Sequence, residues 1–135
     1  MGTMLYKTQQ NTRKGGNNMW YGRALHPTII DLEAVAERIQ LNCSMKKSDV
    51  VAVISELVEV IRDEISNSNK VHIDGLGYFY NSLRTKGALT EEAFNATENI
   101  ADVYTKFLAE SKKTKTGRTR ATVDTSLKFK KMSNN

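Results

Sequence analysis

The segment from about Lys46 to about Ser66 constrains the fold most, because its apolar residues recur at helical spacing over its whole length. One apolar stripe runs along it, made of Val50, Val53, Ile54, Leu57, Ile61 and Ile65. Val51, Val58 and Val60 widen this stripe beyond the single face that a surface helix buries. We therefore expect burial on more than one side, as in a dimer core. The polar side of the helix is acidic and would repel DNA.

Two elements are predicted before this helix. The β-prone runs "MLYKTQQ" and "NMWYGRALH" flank the turn-rich "NTRKGGNN", which indicates a β-hairpin with a basic loop. Pro27 disfavours helix before it, and Asp31 is a suitable N-cap for a first helix, "DLEAVAERIQ". Cys43 lies between the two helices, where we expect a small buried residue.

The stretch after the long helix, "KVHIDGLGYFYNSL" (residues 70–83), is predicted as one strand with two glycines in it. Gly75 and Gly77 would mark a bulge, a close approach or a bend, and we favour a bend. "RTKGALTEEAFNATEN" is either a hairpin arm or a short helix, and "IADVYTKFLAE" a returning strand. "SKKTKTGRTR" is predicted as a loop or helix entry, and "SLKFKK" as an edge strand protected by its lysines.

Composition excludes several functional classes. The single cysteine cannot form an internal disulfide, and the sequence has no Cys/His cluster with zinc-ligand spacing. No nucleophile and base arrangement, cofactor motif or span of about 20 apolar residues occurs. We expect a soluble cytoplasmic protein that is not an enzyme, with no cofactor, metal, membrane or small-molecule substrate.

The net charge of +5 lies at the two ends of the sequence. Residues 1–26 contain four cations and no acid, residues 27–110 are acidic overall, and residues 111–135 contain eight cations and one acid. If the two ends meet, they form one polyanion-binding face; if not, they are solvated basic tails. Trp20, Tyr21, Tyr78 and Tyr80 are strand aromatics, which are core residues more often than base-stacking platforms.

A helix, a turn, a longer helix and then a strand carrying "DGLGYF" resemble the HU/IHF family of bacterial histone-like DNA-bending proteins. The resemblance covers residues 31–83 well, and Phe107 in "YTKF" stands where the family has an aromatic residue. "MLYKTQQN", "MWYGRA" and "NCSMKKSDVVAVISELVEV" are similar to the longer HU-related proteins of Bacteroidetes-type bacteria.

The resemblance implies an α+β fold: an N-terminal helical hairpin and an antiparallel sheet with an arm, in an intertwined homodimer with an extra N-terminal β-hairpin. Residues 1–135 would form one HU-like domain, with 1–26 as the additional β segment, 31–83 as the core, 84–99 as an altered arm and 100–135 as the returning strand and basic C-terminal segment. It further implies a nucleoid-associated protein that binds duplex DNA without sequence specificity and bends or compacts it. Structured RNA is an alternative ligand, and a protein-binding scaffold with weak or no DNA binding is the alternative function.

The arm departs from the family pattern. The family's arm tip carries a proline that wedges between base pairs, whereas this sequence has no proline after Pro27 and carries Glu91, Glu92 and Glu98 in that region. We therefore expect weaker binding and less bending. The predicted nucleic-acid contacts are Arg84 and Lys86 at the base of the arm, Arg13 and Lys14 in the first hairpin loop, and Lys112, Lys113, Lys115, Arg118 and Arg120 around a presumed last helix.

Overall fold

The chain folds as two compact units, one made of residues 1–35 and 124–135 and the other of residues 36–123. The computed structural model describes residues 2–114, 117–120 and 127–133, with only the backbone described for 112–114 and 117–120. The mixture of helices and mainly antiparallel sheets confirms the predicted α+β class. None of the helices in this part of the chain is long and apolar enough to cross a membrane.

The first unit contains a three-stranded sheet. Its strands are β1 (Thr3–Gln10), β2 (Trp20–Ala24) and β8 (Lys128–Lys131), in the order β2-β1-β8. β1 pairs with β2 antiparallel and with β8 parallel. The lysine-rich β8 is thus an edge strand, as its sequence predicts, and its charges disfavour pairing with another chain.

The helices are α1 (Leu32–Asn42) and α2 (Lys47–Ser66), close to their predicted bounds. Asp31 caps α1 as expected, since its Oδ1 accepts a hydrogen bond from the Ala34 N–H at 2.9 Å. At the start of α2 the cap residue makes no side-chain bond, and Gln40 Oε1 instead accepts from the Lys47 N–H at 2.7 Å. The expectation that Cys43 is buried is wrong: its side chain is exposed in the turn between the helices.

α2 carries two apolar rows that differ in exposure. In one row Val50 and Ile65 are buried and Ile54 and Ile61 half-buried, and the helix contacts the two strands that follow it in the chain, residues 71–73 and 77–85. Val53, Leu57 and Val60 form the other row, with 56%, 40% and 48% of their surface exposed. The wide apolar stripe predicted from the sequence is therefore only partly buried within a single chain.

The stretch predicted as one bent strand is a hairpin. β3 (Val71–Ile73) and β4 (Gly77–Thr85) pair antiparallel across a turn, so the prediction of a continuous strand is wrong. Gly75 lies in the turn at φ +79°, a conformation that glycine adopts readily. Gly77 has φ +147°, and a Cβ there would overlap the Leu108 carbonyl oxygen of the next strand. One glycine serves the turn and the other a close backbone approach.

β5 (Ile100–Ala109) returns antiparallel to β4, as predicted, and completes the order β3-β4-β5. The 86–99 connection contains a short helix, α3 (Ala96–Asn99), at the end of "LTEEAFNA", the stretch for which the sequence offered a helix as the alternative to an arm. Asn99 is buried and closes the connection: its Nδ2 donates to the Lys86 carbonyl at 3.1 Å, and its own carbonyl accepts from the Lys86 N–H at 2.7 Å. Strand pairing thus stops at Thr85 and Ile100.

The lysine-rich stretch after β5 forms a further hairpin rather than a helix entry. β6 (Ser111–Thr114) and β7 (Gly117–Arg120) pair antiparallel. The expectation of a helix is therefore wrong for residues 111–114 and 117–120, and the remainder of the presumed last helix lies outside the described residues. Each strand contains one threonine, and a β-branched side chain favours strand over helix because it loses rotamer freedom in a helix.

Candidate nucleic-acid interface

The sheet β3-β4-β5 has two chemically different faces. Side chains alternate along a strand, so Tyr80, Ser82 and Arg84 share one face of β4. Their partners on β5 are Lys106, Tyr104 and Asp102 respectively, and these lie on the same face. The other face carries Phe79 packed on Phe107, with ring centroids 5.0 Å apart, and Asn81, whose Nδ2 donates to the Ile65 carbonyl of α2 at 3.2 Å.

The first of these faces holds its cations over tyrosine rings. Lys70 Nζ lies 4.6 Å from the centroid of Tyr80, Arg84 Cζ lies 5.2 Å from that of Tyr104, and Lys106 Nζ lies 5.6 Å from the same ring. These distances are within the range of cation–π attraction. We call this set of five residues the basic-aromatic face.

Tyr104 is the centre of this arrangement. A hydrogen bond with the Ser82 side chain lowers the pKa of Tyr104 below its ordinary value, and the positive charge of Lys106 acts in the same direction. Both effects favour negative charge on the phenol oxygen. The same field would favour any anion, including a phosphate oxygen, that comes against this part of the sheet.

Arg84 is in contact with one acid. Its Nη1 lies 3.4 Å from Asp102 Oδ2, and both side chains are largely exposed. An ion pair this long and this exposed contributes at most about 1 kcal/mol, so a phosphate can replace the carboxylate at little cost. Asp102 Oδ1 also accepts from the Val103 N–H at 2.8 Å, which gives the carboxylate a partner that remains when Arg84 turns away.

The predicted contact residues fall into three places. Arg84 lies on the basic-aromatic face, and Lys86 follows it with its backbone fixed by Asn99. Lys112, Lys113, Arg118 and Arg120 occupy paired positions in the β6–β7 hairpin of the same unit, and Lys115 lies outside the described residues. Arg13 and Lys14 belong to the other unit, in the β1–β2 loop. That loop is closed by hydrogen bonds from Asn11 N–H to the Met19 carbonyl and from Gly16 N–H to the Arg13 carbonyl.

Sequence reasoning missed Lys70, Lys106 and Tyr104. The signal for Tyr104 and Lys106 is the alternation of charged and aromatic residues in "VYTKF", but this pattern identifies a face only when the register of β5 with β4 is known. That register depends on where the 86–99 connection begins and ends, and the sequence left this stretch undecided. Tyr80, expected to be a core residue, is half-buried at this face.

His72 makes contacts that stabilise the β3–β4 turn at one end of the sheet β3-β4-β5. His72 Nε2 lies 2.9 Å from Glu110 Oε2, which also accepts from the Gly75 N–H at 3.2 Å, and the His72 ring stacks on Tyr78 with centroids 4.2 Å apart. These contacts tie the β3–β4 turn to the end of β5. In the part of the chain that the structure describes, no group of three or more His, Cys, Asp or Glu residues is arranged to hold a metal ion.

The family is established by residues 4–125, which match the model of the HU-HIG family, described as an HU domain fused to a wHTH, Ig or glycine-rich motif. The match covers most of the chain, and the chain belongs to this family. This confirms the HU-type resemblance of the sequence. The comparison with curated proteins found no match.

Two solved structures are similar to the chain. One is a candidate bacterial DNA-binding protein from Bacteroides vulgatus ATCC 8482, with a TM-score of 0.56 and 17% identity. That match covers 78% of this chain but 41% of the other, so this chain spans about two fifths of that structure's length. The other is Anabaena HU in a cocrystal with DNA, with a TM-score of 0.41, 18% identity and coverage of 57% and 83% of the respective chains. The first likeness shows that this chain shares the fold of part of that structure.

Proposed function

We propose that this protein binds duplex DNA through phosphate contacts, without reading the base sequence, as a nucleoid-associated protein of the cytoplasm. The observation that carries the proposal is the basic-aromatic face, on which Lys70, Arg84 and Lys106 are exposed on one side of a sheet. Support for DNA as the ligand comes from the HU-type family and from the DNA-binding description of the Bacteroides relative. Cations on a sheet surface suit a backbone rather than base edges.

We further propose that two chains form a homodimer through α2. The support is its exposed apolar row, Val53, Leu57 and Val60, which lies beside the row that packs within the chain. Leaving three large apolar side chains of one helix in water is unfavourable, and a second α2 would cover them. In such a dimer the helix is buried on two sides, as the width of its apolar stripe predicts.

The connection 86–99 is proposed to bend DNA less than the arms of HU/IHF proteins do. Asn99 closes it at its base, it contains α3, and it carries Glu91, Glu92 and Glu98 but no proline. The exposed apolar residues of the connection, Leu89 and Phe94, lie among these carboxylates, which would repel the phosphates and oppose the entry of either side chain into the minor groove. The DNA deformation is therefore expected to come from the dimer surface rather than from intercalation.

The binding proposal is tested by fluorescence anisotropy with a labelled 30-base-pair duplex between 50 and 200 mM salt. We expect log K to fall linearly with log salt, and the variant Lys70→Gln/Arg84→Gln/Lys106→Gln to flatten the slope by roughly 0.9 for each lost contact, about 2.7 in all. Arg62→Gln is the control, because Arg62 lies on the acidic helix and pairs with Glu59 at 2.9 Å. A folded wild-type protein that does not bind at 50 mM salt would contradict the proposal.

A competing RNA duplex in the same titration decides between DNA and RNA.

The dimer proposal is tested by sedimentation of the wild type and of Leu57→Asp. We expect the wild type to sediment as a dimer and the variant to be monomeric or unfolded, since a charge would be buried in the proposed interface. Glu56→Asp, at the neighbouring position on the acidic side, is the matched control and should remain dimeric. A wild-type mass that stays monomeric at all concentrations would refute the dimer.

The second candidate function is a protein-binding scaffold. It is favoured by Leu89 and Phe94, two apolar residues of the 86–99 connection that are 102% and 42% exposed among glutamates. Replacing residues 88–94 by a Gly/Ser linker keeps Lys86 and the Asn95–Asn99 segment that closes the loop. Loss of a copurifying protein with DNA affinity unchanged would support this function over the first.

A further inference from the structure

The sheet of the first unit has all but one of its strand cations on one face. Alternation along β1 and β2 places Lys7 and Arg23 opposite each other on the same face. On the other side of β1, Lys128 pairs with Thr3 and Lys130 with Leu5, which belong to the same alternating set as Lys7. We name Lys7, Arg23, Lys128 and Lys130 the N-terminal basic face; all four are exposed.

The opposite face of this sheet is mainly apolar. It carries Met4, Tyr6 and Ala24, with Phe129 as the partner of Met4 and Lys131 as its single strand cation. A groove of about 470 Å³ between these side chains is lined by apolar groups. One face of the sheet is therefore cationic and the other mainly apolar. This separation depends on which residues the strand register places on the same face, and not on composition alone.

None of the strands that carry the N-terminal basic face contains an acid. The sequence has no Asp or Glu from residue 1 to residue 30 and none in β8. Within the described part of the chain, none of these four cations forms an ion pair; Arg23 Nη1 donates to the neutral Gln9 Oε1 at 2.8 Å. Like charges directly opposite each other destabilise a strand pair, so the Lys7 and Arg23 pairing does not serve folding. A polyanion lying on the face would remove this repulsion.

A polar groove continues the N-terminal basic face toward the β1–β2 loop. It has a volume of about 400 Å³ and is lined by Gln9, Arg13, Tyr21 and Arg23, together with residues 10–12 between Gln9 and Arg13. Two guanidinium groups, amide donors and a phenol are groups that bind phosphate oxygens. The Tyr21 hydroxyl accepts a hydrogen bond from Asn17 Nδ2 at 2.7 Å, which fixes the phenol at the edge of the groove. Arg13, predicted from the sequence as a nucleic-acid contact, thereby joins the same surface.

We propose that the N-terminal basic face is a second binding surface for the phosphate backbone of duplex DNA, separate from the basic-aromatic face, with the Arg13 groove taking one phosphate group. This inference rests on the proposed function, because it assigns the same ligand to a further site. It is carried by charge complementarity: five cations along one sheet face and its adjoining loop meet a polymer of closely spaced negative charges.

The matched pair Lys130→Gln and Lys131→Gln tests the proposal most cleanly. The two lysines are neighbours on β8 and carry the same charge, but they lie on opposite faces of the sheet. In anisotropy titrations with a 30-base-pair duplex, Lys130→Gln should reduce the slope of log K against log salt by roughly 0.9. Lys131→Gln should leave the slope at the wild-type value. Both changes are at exposed positions of an edge strand, so neither is expected to prevent folding.

The larger test is Lys7→Gln/Arg23→Gln/Lys128→Gln/Lys130→Gln. We expect the slope to fall by roughly 3.6, with the fall adding to that of the variant in the basic-aromatic face. A wild-type protein that binds DNA while both Lys130→Gln and the fourfold variant keep its slope would overturn this inference and leave the proposed function standing. A wild-type protein that does not bind at all would overturn both, and an equal effect of Lys130→Gln and Lys131→Gln would overturn the assignment to one face.

Discussion

The two three-stranded sheets of this protein both carry cations on one face, but they hold them differently. In β3-β4-β5 the cations Lys70, Arg84 and Lys106 each lie over a tyrosine ring, and Arg84 also faces Asp102. In β2-β1-β8 the cations Lys7 and Arg23 face each other across the strands with no acid on the sheet. In β3-β4-β5 aromatic rings hold the cations in place, whereas in β2-β1-β8 the cations lie close together without such partners.

This difference has a physical consequence for binding. A lysine held by an aromatic ring loses less rotamer entropy when it contacts a phosphate, because part of that entropy is already lost in the free protein. A free lysine contributes mainly through counterion release, which depends on salt. We therefore expect the basic-aromatic face to define the position of the DNA and the N-terminal basic face to add affinity at low salt.

Replacing a glycine should change the free energy of unfolding by very different amounts in the two sheets. Gly77→Ala should lower the free energy of unfolding by about 2–5 kcal/mol, because φ is +147° and the new Cβ would overlap the Leu108 carbonyl oxygen. Gly22→Ala in the other sheet should change it by less than about 0.5 kcal/mol, since its Cβ would lie 3.7 Å from Tyr6. Urea unfolding followed by circular dichroism measures both.

The single tryptophan, Trp20, allows the unfolding of the two units to be followed separately. Trp20 lies in β2, so its fluorescence reports on the first unit, while the circular dichroism of α2 reports on the second. In Gly77→Ala the midpoint by circular dichroism should fall clearly. An unchanged midpoint would show that the close approach of β4 and β5 does not require glycine.

A smaller effect is expected from the rings themselves. Tyr80→Leu with Tyr104→Leu should weaken duplex binding about 2- to 5-fold per ring, because a cation that no ring holds loses about 0.5–1 kcal/mol more side-chain entropy when it contacts a phosphate. The slope of log K against log salt should stay the same, because the cations remain. Tyr6→Leu, on the apolar face of the other sheet, is the control and should leave the affinity unchanged. A changed slope would mean that the rings contact DNA directly or shift the cations.

The smallest effect concerns the titration of Tyr104. Hydrogen bonding to Ser82 and the charge of Lys106 lower the pKa of this phenol, so its ionised form is favoured in the folded protein. Ser82→Ala should raise the pKa of Tyr104 toward its ordinary value, and Lys106→Gln should raise it less. NMR titration of the tyrosine ring carbons measures both. If the pKa of Tyr104 does not move in Ser82→Ala, the hydroxyl contributes nothing to the field at this face.

Local signals predicted much of the fold. The cap at Asp31, the bounds of α2 and the strand β5 follow from capping chemistry and from periodicity, which act within a few residues. The turn at Gly75 was missed because two glycines in a strand pattern are equally consistent with a bend. The β6–β7 hairpin was missed because charge dominated the interpretation of a segment whose threonines favour strand.

The candidate site was harder to predict than the fold. Arg84 was identified from its place in the family pattern, but Lys70, Lys106 and the N-terminal basic face depend on which residues lie opposite each other on neighbouring strands. The parallel pairing of β8 with β1 joins residues more than 120 positions apart in the sequence. A local sequence pattern does not specify such a pairing. The sequence alone therefore showed that both ends of the chain are basic, but it did not predict that their strands share one sheet face.

Lysine footprinting determines whether DNA lies on the cationic faces of the two sheets. The protein is acetylated briefly at low salt with and without a 30-base-pair duplex, and the modification of each lysine is measured by mass spectrometry. We expect DNA to protect Lys7, Lys70, Lys106, Lys128 and Lys130, while Lys46 before α2 and Lys131 on the opposite face of β8 react at equal rates in both samples. Equal reaction of all seven lysines, with DNA bound, would contradict the account.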